Sequence, residues 1–560
     1  MSLLDTASLL LTPNAYKEGK LYSVIPSDGS GDFTFTRATS ATRVNSEGLI
    51  EVVSLLGNEL VTNGDFANGT TGWSNGNSGV NTIVNGYLVV TGTGGSYASA
   101  KQVFPVVAGR KYIVSGQIAR VSGIYEVGIE VNDGAGSGWN IIGTKTTSSD
   151  FVNVSEIITV NSGATQLDLR ATIFNVTVDN TNSLKLDNVS VKEVITNNIP
   201  RLDYSLGGCP NILLEPQRTN LLPQSSSFDN VAWSKSASTV TANETTSPSG
   251  ILDADNLTAN GLLNLHSVLS NFISVTNTPT TLSVYAKKNT NNFIQLAVTN
   301  GAGGMFANFD IENGVVGSVG TTTGSNPTST IQSVGNGWYR CAMTFTPTTS
   351  ATAAFYYAIA ASATDTRLLA NTLSTSVYLW GAQLEAGSYA TSYIPTTTAS
   401  VTRNVDSITR NNIYTNGLIT AAGGTWFVEI RGNVALTRDA NVPNFLFISN
   451  NSSGSGLGAN VLAIGNVGFT NSRMYIFKLI NGAYTQLAAT TTTTIKIAIK
   501  WNGSTADVFV NGVKVVTNTA FTTTNMEFLN CFAADVPKYI NQMALFPTPL
   551  TDAQCLALTA

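Results

Sequence analysis

Charged side chains are scarce in this sequence: 29 Lys and Arg with 34 Asp and Glu make up 11% of 560 residues, under half of the roughly 25% usual in soluble domains. A net charge of -5 without any basic stripe excludes a protein that grips a phosphate backbone, which needs concentrated Lys and Arg. Histidine occurs once, at His266, so histidine triads, His-rich metal sites and histidine pH switching are ruled out. The four cysteines, Cys209, Cys341, Cys531 and Cys555, stand far apart with no CxxC pair. They predict buried free thiols and no zinc site or disulfide framework. No basic segment followed by a long apolar stretch occurs near Met1, because the run at Leu9–Leu11 leads into Thr12-Pro13. Neither a signal peptide nor membrane insertion is therefore expected.

What is present is β signal. Hydrophobic residues reach 42%, too many for a disordered chain, and Thr, Ser and Asn supply the polarity. Asn-Gly between apolar or alternating runs marks a type I′ hairpin, whose two central residues need positive φ. It occurs four times: Asn85-Gly86, Asn313-Gly314, Asn481-Gly482 and Asn511-Gly512. In IKIAIKW, Ile495, Ile497 and Ile499 are expected to face a core while Lys496 and Lys500 face water. Helical patterning is confined to Leu3–Leu11 and to LTDAQCLALT, where Thr551 and Gln554 have the spacing of a capping box. Many short strands without intervening helices predict an all-β chain of tandem antiparallel β-sandwiches. At about 150 residues per domain, the length allows three or four.

Two long segments share one plan. NELVTNGDFANGTTGW opens the first and LKLDNVSVKEV closes it; TNLLPQSSSFDNVAW opens the second and VYLWGAQLEAGSYATSYIPT closes it. Each opens with a polar turn, a Phe (Phe66, Phe228) and a Trp (Trp73, Trp233), and each closes on a strand with an acid (Asp187, Glu385). The aromatics are read as closing one end of a jelly roll; the alternative is a coincidence between two all-β segments. Residues 58–196 resemble carbohydrate-binding-module jelly rolls, and residues 217–402 look like a diverged relative. The third segment, 403–560, resembles the concanavalin A-like (laminin-G-like) lectin fold through WNGSTADVFVNGVKVV and MALFPTPLTDAQCLAL. Around them, FTFTRATSATRVNSEGLIEVV, NIPRLDYSLGGCPNILLEPQRTNLL and GAQLEAGSYATSYIPTTTASVTRNVDSI resemble a structural frame of tailed-bacteriophage head-fibre and tail-associated proteins. In that family the first motif runs almost directly into the second. Here residues 58–196 stand between them and are read as an inserted domain, with 1–57 as an N-terminal attachment segment and 197–216 as the frame's continuation.

Catalytic constellations are missing. The sequence TWFVEIRGNV around Glu429 lacks the Glu-x-Asp-x-Glu strand of glucanases with this fold, and no enzyme activity is expected. GAGSG (Gly134–Gly138) has neither a following helix nor a lysine and reads as a plain loop. No cofactor is required. The jelly-roll resemblance implies a structural Ca²⁺ at Asp65 and Asp187; equally open is that Asp65 stabilises its turn and Asp187 caps a strand. Glycan binding would use exposed aromatic faces, and Trp139 and Tyr97, both in Gly-rich loops, are the candidates. Trp73, Trp233 and Trp338 are assigned to cores, and His266 to a buried or strand-edge position. The frame resemblance implies a virion-surface protein made in the host cytoplasm. Its partners would be sister subunits (a trimer above all), other capsid or tail proteins and host-surface polysaccharide, with no nucleic acid. The rival readings are a purely architectural virion protein and a polysaccharide depolymerase.

Overall fold

The computed structural model describes residues 3–136, 138–175, 177–299, 302–431, 444–450, 452, 460–466, 474–480, 483–490, 494–521, 526–532 and 538–560. The chain forms two compact units, residues 54–195 and residues 1–53 with 196–560. Both are built almost wholly of antiparallel strands.

The smaller unit is a sandwich of two sheets. One runs in the order Asn140–Ile141, Val127–Asn132, Gln166–Ile173, Ser99–Pro105, Ser74–Gly76. The other runs Val152–Thr159, Lys111–Ser122, Ser183–Ile195, Tyr87–Gly92, Gly79–Val84, with Leu55–Glu59 also paired to Ser183–Ile195. Period-2 alternation explains the layers: Leu167, Leu169 and Ala171 point into the core while Asp168 and Arg170 point out. Asn85 (φ 52°) and Gly86 (φ 87°) form the expected two-residue turn, with Val84 opposite Tyr87.

The larger unit holds two further sandwiches. Residues 233–386 form two six-stranded sheets. The other sandwich has sheets of eight and nine strands, and the frame segments are woven into both. Leu9–Leu11 pairs with Lys538–Phe546, Asn211–Leu214 pairs with the same strand, and Phe33–Thr36 pairs with Ser407–Asn411. Leu9, Phe33, Phe35 and Ile212 thus share one core with Trp426, Ile497 and Leu545. Ile495, Ile497 and Ile499 are buried and Lys496 and Lys500 are not, as their alternation requires. Asn511 (φ 45°) and Gly512 (φ 77°) make a type I′ hairpin. Asn313-Gly314 does not, because Asp310 is opposite Val315 and the loop has four residues. Asp310 accepts the Glu312 and Asn313 N–H groups, so the loop closes on an Asx turn and only Gly314 has positive φ. Asn481-Gly482 lies outside the described residues.

Two other expectations need correction. The Leu3–Leu11 segment is a 3₁₀ turn, Leu3–Thr6, followed by a strand, because three consecutive buried leucines suit a strand covered on both faces. Cys341, Cys531 and Cys555 are buried thiols, but Cys209 is exposed, placed on the surface by the Gly207-Gly208 turn. The C-terminal helix Asp552–Thr559 has the capping box between Thr551 and Gln554.

The frame motifs converge on a buried ionic cluster. Arg37 meets Asp406 at 2.9 Å, Arg201 bridges Asp406 and Glu215, and Arg403 lies 2.9 Å from Glu215. These side chains are at most 3% exposed. Ser392 donates to Glu215 (2.6 Å) and accepts from Arg201 (2.9 Å) and Arg403 (2.8 Å). Burial opposes ionisation of Glu215, but Arg403, Arg201 and the Ser392 hydrogen bonds outweigh it and hold the carboxyl far below its ordinary range. Residues from each frame motif therefore meet in one place.

Candidate glycan-binding face

The outer surface of the smaller unit's five-stranded sheet is built rung by rung. Arg170 lies opposite Glu130 on one side and Lys101 on the other. Asp168 lies opposite Asn132, and Thr172 opposite Gly128. Arg170 and Asp168, two residues apart on one strand, form a two-point ion pair with contacts of 3.2 and 2.8 Å. The fixed guanidinium lies 4.2 Å from the centroid of the Trp139 ring. Trp139 remains 37% exposed with that guanidinium against its ring. The preceding loop is shaped by Asp133, which accepts N–H groups from Ala135, Gly136 and Asn161.

A second ring lies further along the face. Phe174 carries the Lys145 ammonium at 4.1 Å from its centroid. A Cβ at position 128 would lie 3.1 Å from Phe174 and 3.5 Å from Lys145, so Gly128 gives both side chains their room. Between the aromatics lies Glu130, only 8% exposed, accepting a 2.7 Å hydrogen bond from the Thr172 hydroxyl. Burial pushes its carboxyl up, against the pull of Thr172 and Arg170. Ionising Glu130 therefore costs stability as pH rises above its ordinary value of 4.5. Glu130→Gln is expected to stabilise the smaller unit at pH 7 and to have little effect at pH 4.5, read from urea midpoints at the two pH values. Equal shifts at both would refute it.

Tyr97 is 42% exposed and sits beyond Thr172, its N–H donating to the Asn175 carbonyl and its own carbonyl accepting from Asn77. It stands at the end of the sheet, apart from the Trp139–Arg170 pair in register. Asp65 accepts the Ala67 N–H at 3.3 Å, and Asp187 accepts the Asn188 N–H at 2.8 Å. Their segments do meet, since Val189 donates to the Gly64 carbonyl. Among the described residues no group of three His, Cys, Asp or Glu side chains is arranged to hold a metal. Trp73, Trp233 and Trp338 are core residues, and His266 is buried with its ring nitrogens facing the carbonyls of Ala237 and Asn371. Glu385 is fully buried and bonded to Gln383 and Thr391. Arg170, Asp168, Glu130, Thr172, Lys145 and Phe174 had no place among the sequence candidates. The alternation of QLDLRATI placed three of them on one face, but only strand register joins that face to Trp139.

No family model matches the chain, and no curated protein matches it. Similar solved structures include the tandem CBM22-1–CBM22-2 domain of Paenibacillus barcinonensis Xyn10C, at 12% identity and TM-score 0.22 over 59% of this chain and 99% of that one. A CBM4 structure matches at 13% identity and TM-score 0.20, over 24% and 99%. A Trypanosoma rangeli sialidase matches at 10% identity and TM-score 0.18, over 94% and 98%. Superpositions of this extent carry no functional argument.

Proposed function

We propose that the chain is an adhesion protein whose smaller unit binds polysaccharide on the Trp139 face, as part of a bacteriophage particle. The carrying observation is the exposed Trp139, backed by Arg170, which Asp168 holds in place. A pyranose ring stacked on that indole would place its hydroxyls within reach of Asp168 and Arg170, which supply fixed acceptors and donors beside an apolar platform. Each contact is weak, and many copies on one particle would make adhesion strong. The particle role is supported by the frame motifs, whose distant segments meet in one buried cluster, as parts of a single working frame would.

The test uses the full chain on an array of bacterial surface polysaccharides. Trp139→Ala is expected to weaken single-site binding about tenfold, with the protein's melting unchanged and no reducing ends released on incubation. Unaltered binding by Trp139→Ala overturns this face as the site. Labelling of intact particles with antibody, and light scattering for a trimer, test the virion reading separately.

A further inference from the structure

The larger unit contains a cavity of about 600 Å³, within the range of small-ligand sites, and we propose that it binds a carboxylate-bearing saccharide through Arg340. The site is separate from the Trp139 face and does not rest on it. Its floor is the outer surface of three neighbouring strands, Thr328–Gly335, Trp338–Phe345 and Thr280–Lys288. Register sets the floor in rungs: Thr328, Thr344 and Thr281 on one, Thr330, Ala342 and Ser283 on the next, Gln332, Arg340 and Tyr285 on the third. The opposite wall comes from the Tyr389–Tyr393 segment and from Tyr539.

The charges in this cavity are unequal in their commitments. Asp203 accepts from the neutral Val44 and Ser205 N–H groups and has no cation within ion-pair distance among the described residues. Glu215 belongs to the buried cluster, and Arg43 pairs with Glu51 at 2.9 Å, which leaves Arg340 as the cation without a carboxylate. Arg340 faces no carboxylate within ion-pair distance among the described residues. Its guanidinium donates to the Thr391 carbonyl and, at 3.3 Å, to the Ser283 hydroxyl, and rests 5.2 Å from the Tyr285 ring centroid. Its Nε is buried with no partner. One fixed, unneutralised fork is what a carboxylate needs, since a guanidinium matches two oxygens at once. The Thr330 and Gln332 side chains, exposed on the edge strand, add groups that can hydrogen-bond ring hydroxyls, and tyrosine rings supply apolar walls. A neutral sugar would leave Arg340 uncompensated, and an inorganic anion would leave most of the volume unfilled.

The experiment is calorimetric titration of the full chain carrying Trp139→Ala, so that the other face is silent. The probes are oligomers of galacturonate, mannuronate and sialic acid, each alongside its methyl ester. At least one acid is expected to bind, with its ester about 10–100-fold weaker, the range of a charge-assisted hydrogen bond. Arg340→Gln is expected to remove the preference for acid over ester, and Thr330→Trp to block binding while leaving Arg340 in place. The proposal is overturned if no acidic oligomer binds, if acid and ester bind alike to the unsubstituted cavity, or if Arg340→Gln keeps the preference. The acid–ester comparison needs no substitution in the cavity, so a poorly folded variant leaves it intact.

Discussion

Replacing Asp406 by Asn is expected to destabilise the larger unit by about 3–5 kcal/mol, the usual consequence of removing one partner from a buried ion pair. Asn keeps the volume but removes the charge. Arg37 and Arg201, both with fully buried side chains, would then face each other across a neutral amide. Asp406 also accepts the Glu215 N–H at 2.8 Å, so the backbone junction between two frame segments would loosen. The measurement is the shift in urea midpoint at constant slope; less than about 1 kcal/mol would show that shape, and not charge, holds the cluster. The pH dependence has a definite sign. Glu215 has its folded-state pKa depressed from an ordinary value of 4.5. Its contribution is complete above that pH and is lost as pH falls below it. Acid unfolding is therefore expected to begin below about pH 4.5, and Glu215→Gln to flatten that limb.

The second large effect concerns the opening turns. Phe228→Ala and Phe66→Ala are each expected to cost about 3–5 kcal/mol, the range for emptying a buried phenylalanine site. The two turns are built alike. Phe228 lies 4.9 Å from Trp233, whose Nε1 donates to Gln224; Phe66 lies 5.3 Å from Trp73, whose Nε1 donates to Asn63. Both accepting residues have positive φ, 50° and 55°. Phe66 itself is at φ 54°, a conformation that alanine also disfavours, so truncation gives no relief of strain to offset the cavity. Denaturant midpoints for the two variants check this. A cost below about 1 kcal/mol at either would show that the turn is decoration and not a keystone of its sandwich.

These turns were legible in sequence because Phe, Trp and polar turn residues lie within about a dozen positions and act locally. The same holds for the hairpins at Asn85 and Asn511 and for the capping box at Thr551, whose partners sit three residues or fewer apart. Asn313-Gly314 misled because the dipeptide does not show that Asp310 has already closed the loop. Leu9–Leu11 misled because its partner, Lys538–Phe546, lies more than 500 positions away. At the candidate site the exposure of Trp139 and Tyr97 could be read from their Gly-rich loops. Arg170, Glu130 and Arg340 could not, since each owes its role to residues that are brought beside it from distant positions, and such pairing leaves no mark in a single sequence.

The pairing of Leu9–Leu11 with Lys538–Phe546 also dictates an order of events during synthesis. The smaller unit, continuous from residue 54 to 195, has every partner strand available once its last residue leaves the ribosome. The eight-stranded sheet must wait for residues near 546, and at ~5–20 residues per second that interval is on the order of 20–70 s. For that time the nascent Leu9–Leu11 strand has only the local bridge from Leu10 to Ile25, and its other edge, with three apolar side chains, is open to wrong partners. A truncated chain released early would carry a finished smaller unit tethered to an unfinished, aggregation-prone sheet.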